Sequence, residues 1–137
     1  MNVEIFTRHA VMDKDSEGHT RGVYAYIMTY GTKTLKGSGY LSNIKNAEEL
    51  ELEMLTNALS KLKRPCDIIF RSPCVASAHD VNVINYKIKT GSKNRELYNK
   101  FKSFLETHNI AFSPIVNSSK ENACHNLIVS TYLENKN

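Results

Sequence analysis

Carboxylates, histidines and cations are unevenly spread along this chain, and their spacing limits the chemistry open to it. Glu48, Glu49, Glu51 and Glu53 form an acidic segment, whereas Lys87, Lys89, Lys93, Arg95, Lys100 and Lys102 crowd a short basic one. Runs of this kind usually line a solvated helix face, although a basic stripe also offers contacts to phosphate oxygens. Asp13, Asp15 and Glu17 lie in the run DKDSEG. It resembles part of a calcium loop without the full ligand pattern, so a solvated loop is expected. His9 and His125 are candidates for a metal-free acid–base pair acting on RNA. No Ser-His-Asp or Cys-His arrangement has a recognisable local signature, and there is no glycine-rich phosphate loop. Cys66, Cys74 and Cys124 lack the Cys-x-x-Cys spacing of a zinc site and lie near apolar segments. Reduced thiols in a cytosolic protein are the expectation.

The length of 137 residues implies one domain over residues 1–137, long enough for a real core. With 41% hydrophobic and 23% charged residues, the chain should be globular. No apolar run approaches the ~18 residues of a membrane span. Met1 leads directly into a strand pattern without the features of a signal peptide. A cytoplasmic protein with no membrane partner is expected. The net charge of +4 permits a polyanionic partner without requiring one.

Several elements must position these groups. Val3–Thr7 reads as a first strand, and Asp13–Gly22 as a polar connection. Val23–Tyr30 is rich in β-branched and aromatic residues and reads as a second strand. After the Gly31-Thr32 turn, Lys33–Tyr40 completes a hairpin-built trio. Asn46 is a plausible N-cap for a helix whose Leu52, Leu55, Leu59 and Leu62 mark a buried face, and Pro65 closes the segment. Cys66–Arg71 is expected as a strand buried on both faces and parallel to the first. A short helix followed by an extended piece is expected within Val75–Ile88. Arg95–His108 is a second amphipathic helix with Leu97, Phe101, Phe104 and Leu105 inside. Ile110–Val116 is a strand that Pro114 places at a sheet edge, and Glu121–Leu133 is a closing helix. The order β-β-β-α-β-α-α-β-α argues an α/β fold with a mixed five-stranded sheet flanked by helices.

This order, together with several local runs, resembles the ribonuclease HI family, whose members cut the RNA strand of RNA–DNA hybrids. The carriers are Val-Glu-Ile-Phe-Thr at 3–7, Gly39-Tyr40, Asn46 through Leu62, Lys93-Asn94-Arg95-Glu96-Leu97-Tyr98, and Glu121-Asn122-Ala123-Cys124-His125-Asn126-Leu127. Each is weak alone, but together they span nearly the whole chain in order. The resemblance implies a site of four carboxylates holding two magnesium ions about 4 Å apart. Transferred residue by residue, the first-strand aspartate becomes Arg8. The helix glutamate is retained as Glu51, with Glu49 a second choice. The aspartate after the fourth strand falls at Pro73 or Ser72, and the last aspartate at His125. The mobile histidine of the family falls at Ser118 or a neighbour.

The resemblance therefore implies a ribonuclease H-like scaffold that has lost metal-dependent catalysis, because one carboxylate does not hold two hard cations. No cofactor and no metal are expected, with Mg2+ entering only if an atypical site proves active. If the fold holds, Arg8, Glu51 and His125 are expected to converge, with Arg8 pairing Glu51 in place of the ions. The first functional expectation is binding of an RNA–DNA hybrid or structured RNA without cleavage, through Asn43, Asn46, Lys87, Lys89, Lys93 and Arg95. The second is a protein-interaction module, an inhibitor or adaptor of phage or bacterial origin acting on a nucleic-acid-processing enzyme. The third is an active hybrid ribonuclease with an atypical site.

Overall fold

The computed structural model describes residues 1–72, 95–114 and 118–136. These form β1 (Asn2–Lys14), β2 (Thr20–Tyr30), β3 (Lys33–Leu41), α1 (Ala47–Leu59), β4 (Asp67–Ser72), α2 (Arg95–Thr107), β5 (Asn109–Pro114) and α3 (Ser118–Asn135). One five-stranded sheet runs in the order β3-β2-β1-β4-β5. β1 pairs antiparallel with β2, and β2 with β3, whereas β4 lies parallel to both β1 and β5. This is the mixed sheet that the sequence pattern predicts, with Pro114 on an edge strand. The helix expected within 75–88 lies outside the described residues.

β1 extends well beyond the expected Val3–Thr7. Arg8, His9, Ala10 and Val11 keep antiparallel partners in β2, from Ala25 to Gly22. The polar connection shrinks accordingly to a tight turn in which Asp15 Oδ1 accepts hydrogen bonds from the backbone N–H groups of Glu17 and His19, both at 2.9 Å. Gly18 supplies the φ of +83° that the turn requires.

Side chains alternate across β1, so successive residues serve two different layers. Val3 and Ile5 join Tyr24, Tyr26, Met28, Ile68 and Phe70 beneath α1 and α2, forming the main core with Leu52, Leu55, Leu59 and Phe101. Phe6 points the other way and packs with Ile27 and Cys124 beneath α3, beside a second small cluster of Val23, Ala25 and Ile128. Fully burying one such large apolar side chain stabilises the fold by roughly 1.5–3 kcal/mol. β2 is buried on both sides from Val23 to Met28 because helices cover it from both directions. β4 is not. Ile68 and Phe70 are buried, but Ile69 on the opposite side is 37% exposed, because α3 reaches only β1, β2 and β3. The expectation of a strand buried on both faces is corrected to one buried face.

Two glycines on β3 follow from the tyrosines of β2. The register sets Gly37 opposite Tyr26 and Gly39 opposite Tyr24, and a Cβ at either glycine would collide with the facing ring. The Tyr26 hydroxyl donates to Asn57 Oδ1 of α1 at 2.8 Å, and burial pushes its phenol up to about 12.

Asn46 caps α1 as expected, its Oδ1 accepting from the Glu49 N–H at 2.8 Å, while Glu49 Oε1 accepts from the Lys45 N–H at 2.7 Å. This reciprocal cap fixes where α1 begins and thus how its next turn meets β1. Leu52, Leu55 and Leu59 are buried as their spacing requires, whereas Leu62 lies past the helix end and packs only partly. No helix among the described residues is long and apolar enough to cross a membrane.

Candidate functional site

The segment Thr7-Arg8-His9 of β1 presents three polar side chains in succession, and the pleat sends them to alternate faces. Thr7 and His9 share the face of α1. Thr7 is fully buried, and its Oγ1 has no hydrogen-bond partner among the described residues. His9 Nε2 stands 3.8 Å from Glu51 Oε2, with both side chains 16% exposed. Glu51 reaches the strand because Asn46 and Glu49 set the start of α1 one turn earlier.

Arg8 points to the other face. Its Nη1 lies 3.5 Å from Glu121 Oε1 on α3, and the two side chains are about one-third exposed, at 35% and 37%. Glu121, Cys124, Ile128 and Thr131 fall on one side of α3 by helical spacing. Cys124 and Ile128 anchor that side against Phe6 and Val23, and Thr131 donates to Ser38 Oγ of β3 at 2.9 Å. The Cys124 thiol is pushed up to about 11, chiefly by burial.

The expected convergence of Arg8, Glu51 and His125 is therefore corrected. Arg8 pairs with Glu121 rather than Glu51, because consecutive strand residues cannot share a face. His9 takes the place beside Glu51. His125 is exposed on α3, one turn beyond Glu121, and no described contact joins it to Arg8 or Glu51. The same geometry gives no contact between His9 and His125, the pair considered for acid–base chemistry. Sequence reasoning missed His9 as the partner of Glu51 and missed Glu121 altogether. Both were recoverable: Glu121 lies three residues before the apolar Cys124, and β1 alternation separates residue 8 from residue 9.

Asn43 is exposed ahead of α1, and Asn46 is its cap. Arg95 is exposed at the start of α2 and lines an open groove of about 620 Å³ with Lys45, Glu49, Glu53, Glu96 and Lys100. Cations and carboxylates balance there, so this groove has no bias toward an anion. Lys87, Lys89, Lys93 and Pro73 lie outside the described residues, as does Cys74. Cys66 and Cys124 are buried free thiols.

The sheet order, with α1 and α2 on one face and α3 on the other, defines a ribonuclease H-like fold. Solved structures place it there. The chain superposes on LC9-RNase H1 with a TM-score of 0.70 at 9% identity, covering 94% of this chain and 71% of that one. On LC11-RNase H1 in complex with an RNA/DNA hybrid, the TM-score is 0.65 at 16% identity over 98% and 99%. On the foamy viral protease-reverse transcriptase in complex with dsDNA, it is 0.72 at 14% over 94% and 92%. No family model matches the sequence. A ribonuclease H of Clostridium botulinum is 33% identical over 125 residues, 80% of this chain and 79% of that protein. The chain belongs to the ribonuclease H family.

A two-magnesium site does not fit the described residues. No three His, Cys, Asp or Glu side chains among them come together as a ligand set. Glu51 faces an imidazole, and the guanidinium of Arg8 occupies the neighbouring strand position.

Proposed function

We propose that the chain binds nucleic acid, as an RNA–DNA hybrid or structured RNA, without metal-dependent cleavage. The observation that carries this reading is the middle of β1, where Arg8 pairs with Glu121 and His9 stands beside Glu51. An arginine–glutamate ion pair and a histidine–glutamate contact stand where a hydrolytic site would need several carboxylates free to bind metal. The family membership supports a nucleic-acid ligand, since a solved structural relative is bound to an RNA/DNA hybrid. Buried, unbridged Cys66 and Cys124 fit a reducing, cytoplasmic setting.

The test is a pair of assays on one labelled RNA–DNA hybrid. Binding is expected by fluorescence anisotropy, and no cleavage is expected above background with Mg2+ or Mn2+. Metal-dependent cleavage that disappears in Glu51→Gln would overturn the reading in favour of an atypical but active nuclease. A protein-interaction role has one observation in its favour. On the outer face of β4, Ile69 is 37% exposed, within an open cavity of about 520 Å³ that Glu4, Tyr30, Arg71 and Ala111 also line. A partner protein recovered by this face and lost in Ile69→Asp would support it.

A further inference from the structure

We propose that the phosphate backbone of the ligand docks on the α3 side of the sheet, on a cationic patch built from Arg8, Lys36 and Lys120. This inference rests on the nucleic-acid reading above and locates it on the sheet face opposite α1 and α2.

Strand register assembles the patch. Phe6 of β1, Ile27 of β2 and Lys36 of β3 are successive cross-strand partners. Phe6 and Ile27 both face α3, so Lys36 extends the same row to the sheet edge, where it is exposed. Arg8 lies two residues beyond Phe6 on the same face. Lys120 precedes Glu121 in the first turns of α3. Cys124 sits between them, its Sγ 3.6 Å from the Phe6 carbonyl oxygen. Arg8, Lys120 and Lys36 are all close enough to that thiol to favour its anion, and Glu121 opposes them. Among the described charges acting on that thiol, three are cations and one is a carboxylate.

Arg8 is the anchor. Its single described polar contact is the 3.5 Å approach of Nη1 to Glu121, and its side chain is 35% exposed. The remaining guanidinium N–H groups suit bidentate recognition of a phosphate. The arrangement needs no divalent ion. Added Mg2+ should weaken binding as a competing counterion, where a metal-bridged phosphate would be strengthened by it.

The experiment measures anisotropy of a fluorescein-labelled RNA–DNA hybrid across a salt titration in EDTA. Arg8→Gln with Lys36→Gln should lower the slope of log affinity against log salt by about 2 and reduce affinity at least about tenfold. Lys61→Gln with Lys63→Gln, exposed cations beyond α1, should change neither. Glu121→Gln, which relieves Arg8 of its carboxylate, should tighten binding, an effect that a merely structural role would not produce. Thermal melting of each variant confirms that it is folded. If the wild type binds and the Arg8/Lys36 variant keeps its slope and affinity, the patch is wrong while the nucleic-acid reading stands. If the wild type binds neither hybrid nor structured RNA, with or without Mg2+, both fall. Binding that requires Mg2+ overturns the patch alone.

Discussion

The two faces of the sheet are built differently. Beneath α1 and α2, one continuous cluster runs from Val3 through Tyr26 and Leu55 to Phe101, with Thr7 fully buried beside it and the His9–Glu51 pair largely covered. Beneath α3 there are two small clusters, a buried thiol, and an ion pair one-third open to water. The first face holds the fold; the second leaves charge available at its rim. In a chain without a carboxylate metal set among its described residues, the more open face is the better place to look for a ligand.

Cavity-forming substitutions should separate the faces most strongly. Leu55→Ala, in the large cluster, is expected to cost roughly 4–5 kcal/mol, whereas Ile128→Ala, under α3, should cost roughly 2–3 kcal/mol because its surroundings can collapse toward solvent. Urea denaturation of both variants checks this. Equal costs would mean that α3 is as firmly packed as α1, and the contrast would fail.

A smaller effect belongs to pH, on the α1 side. The His108 Nδ1 accepts the Cys66 N–H at 3.0 Å, which only a ring unprotonated at Nδ1 can do. Burial holds its pKa below the usual 6.5. Below that value the unfolded chain binds a proton that the folded chain resists, so stability present above about pH 6.5 is lost as pH falls toward the depressed folded value. Thermal melts of wild type should therefore soften on acidification through this window. His108→Gln should flatten that slope, since its amide oxygen accepts the same N–H without titrating. An unchanged slope would assign the acid sensitivity to other groups.

The layers of the fold were legible because they rest on short-range periodicity. The leucines of α1, the β-branched run of β2 and the cap at Asn46 each specify an element through neighbours a few residues away. The extra length of β1 was not legible, because Arg8, His9 and Met12 carry no apolar alternation, and their strand pairing is imposed by β2. The same gap hid the site. With β1 ending at Thr7, Arg8 seemed able to turn toward α1; once β1 continues, parity assigns it to α3. The exposure of Ile69 was hidden for a related reason, since a run of apolar residues in β4 does not reveal that α3 stops short of it.

The smallest prediction tests that parity directly. A double-mutant cycle between Arg8→Gln and Glu121→Gln should show coupling of roughly 0.2–1 kcal/mol, the range for ion pairs this exposed. A second cycle, Arg8→Gln with Glu51→Gln, should be additive to within roughly 0.3–0.5 kcal/mol, because the two side chains lie on opposite sides of the sheet and share no described partner. Urea unfolding of the single and double variants provides both numbers. Coupling concentrated in the Arg8–Glu51 cycle would mean that guanidinium and carboxylate meet after all. It would also remove Arg8 from the surface on which the phosphate patch depends.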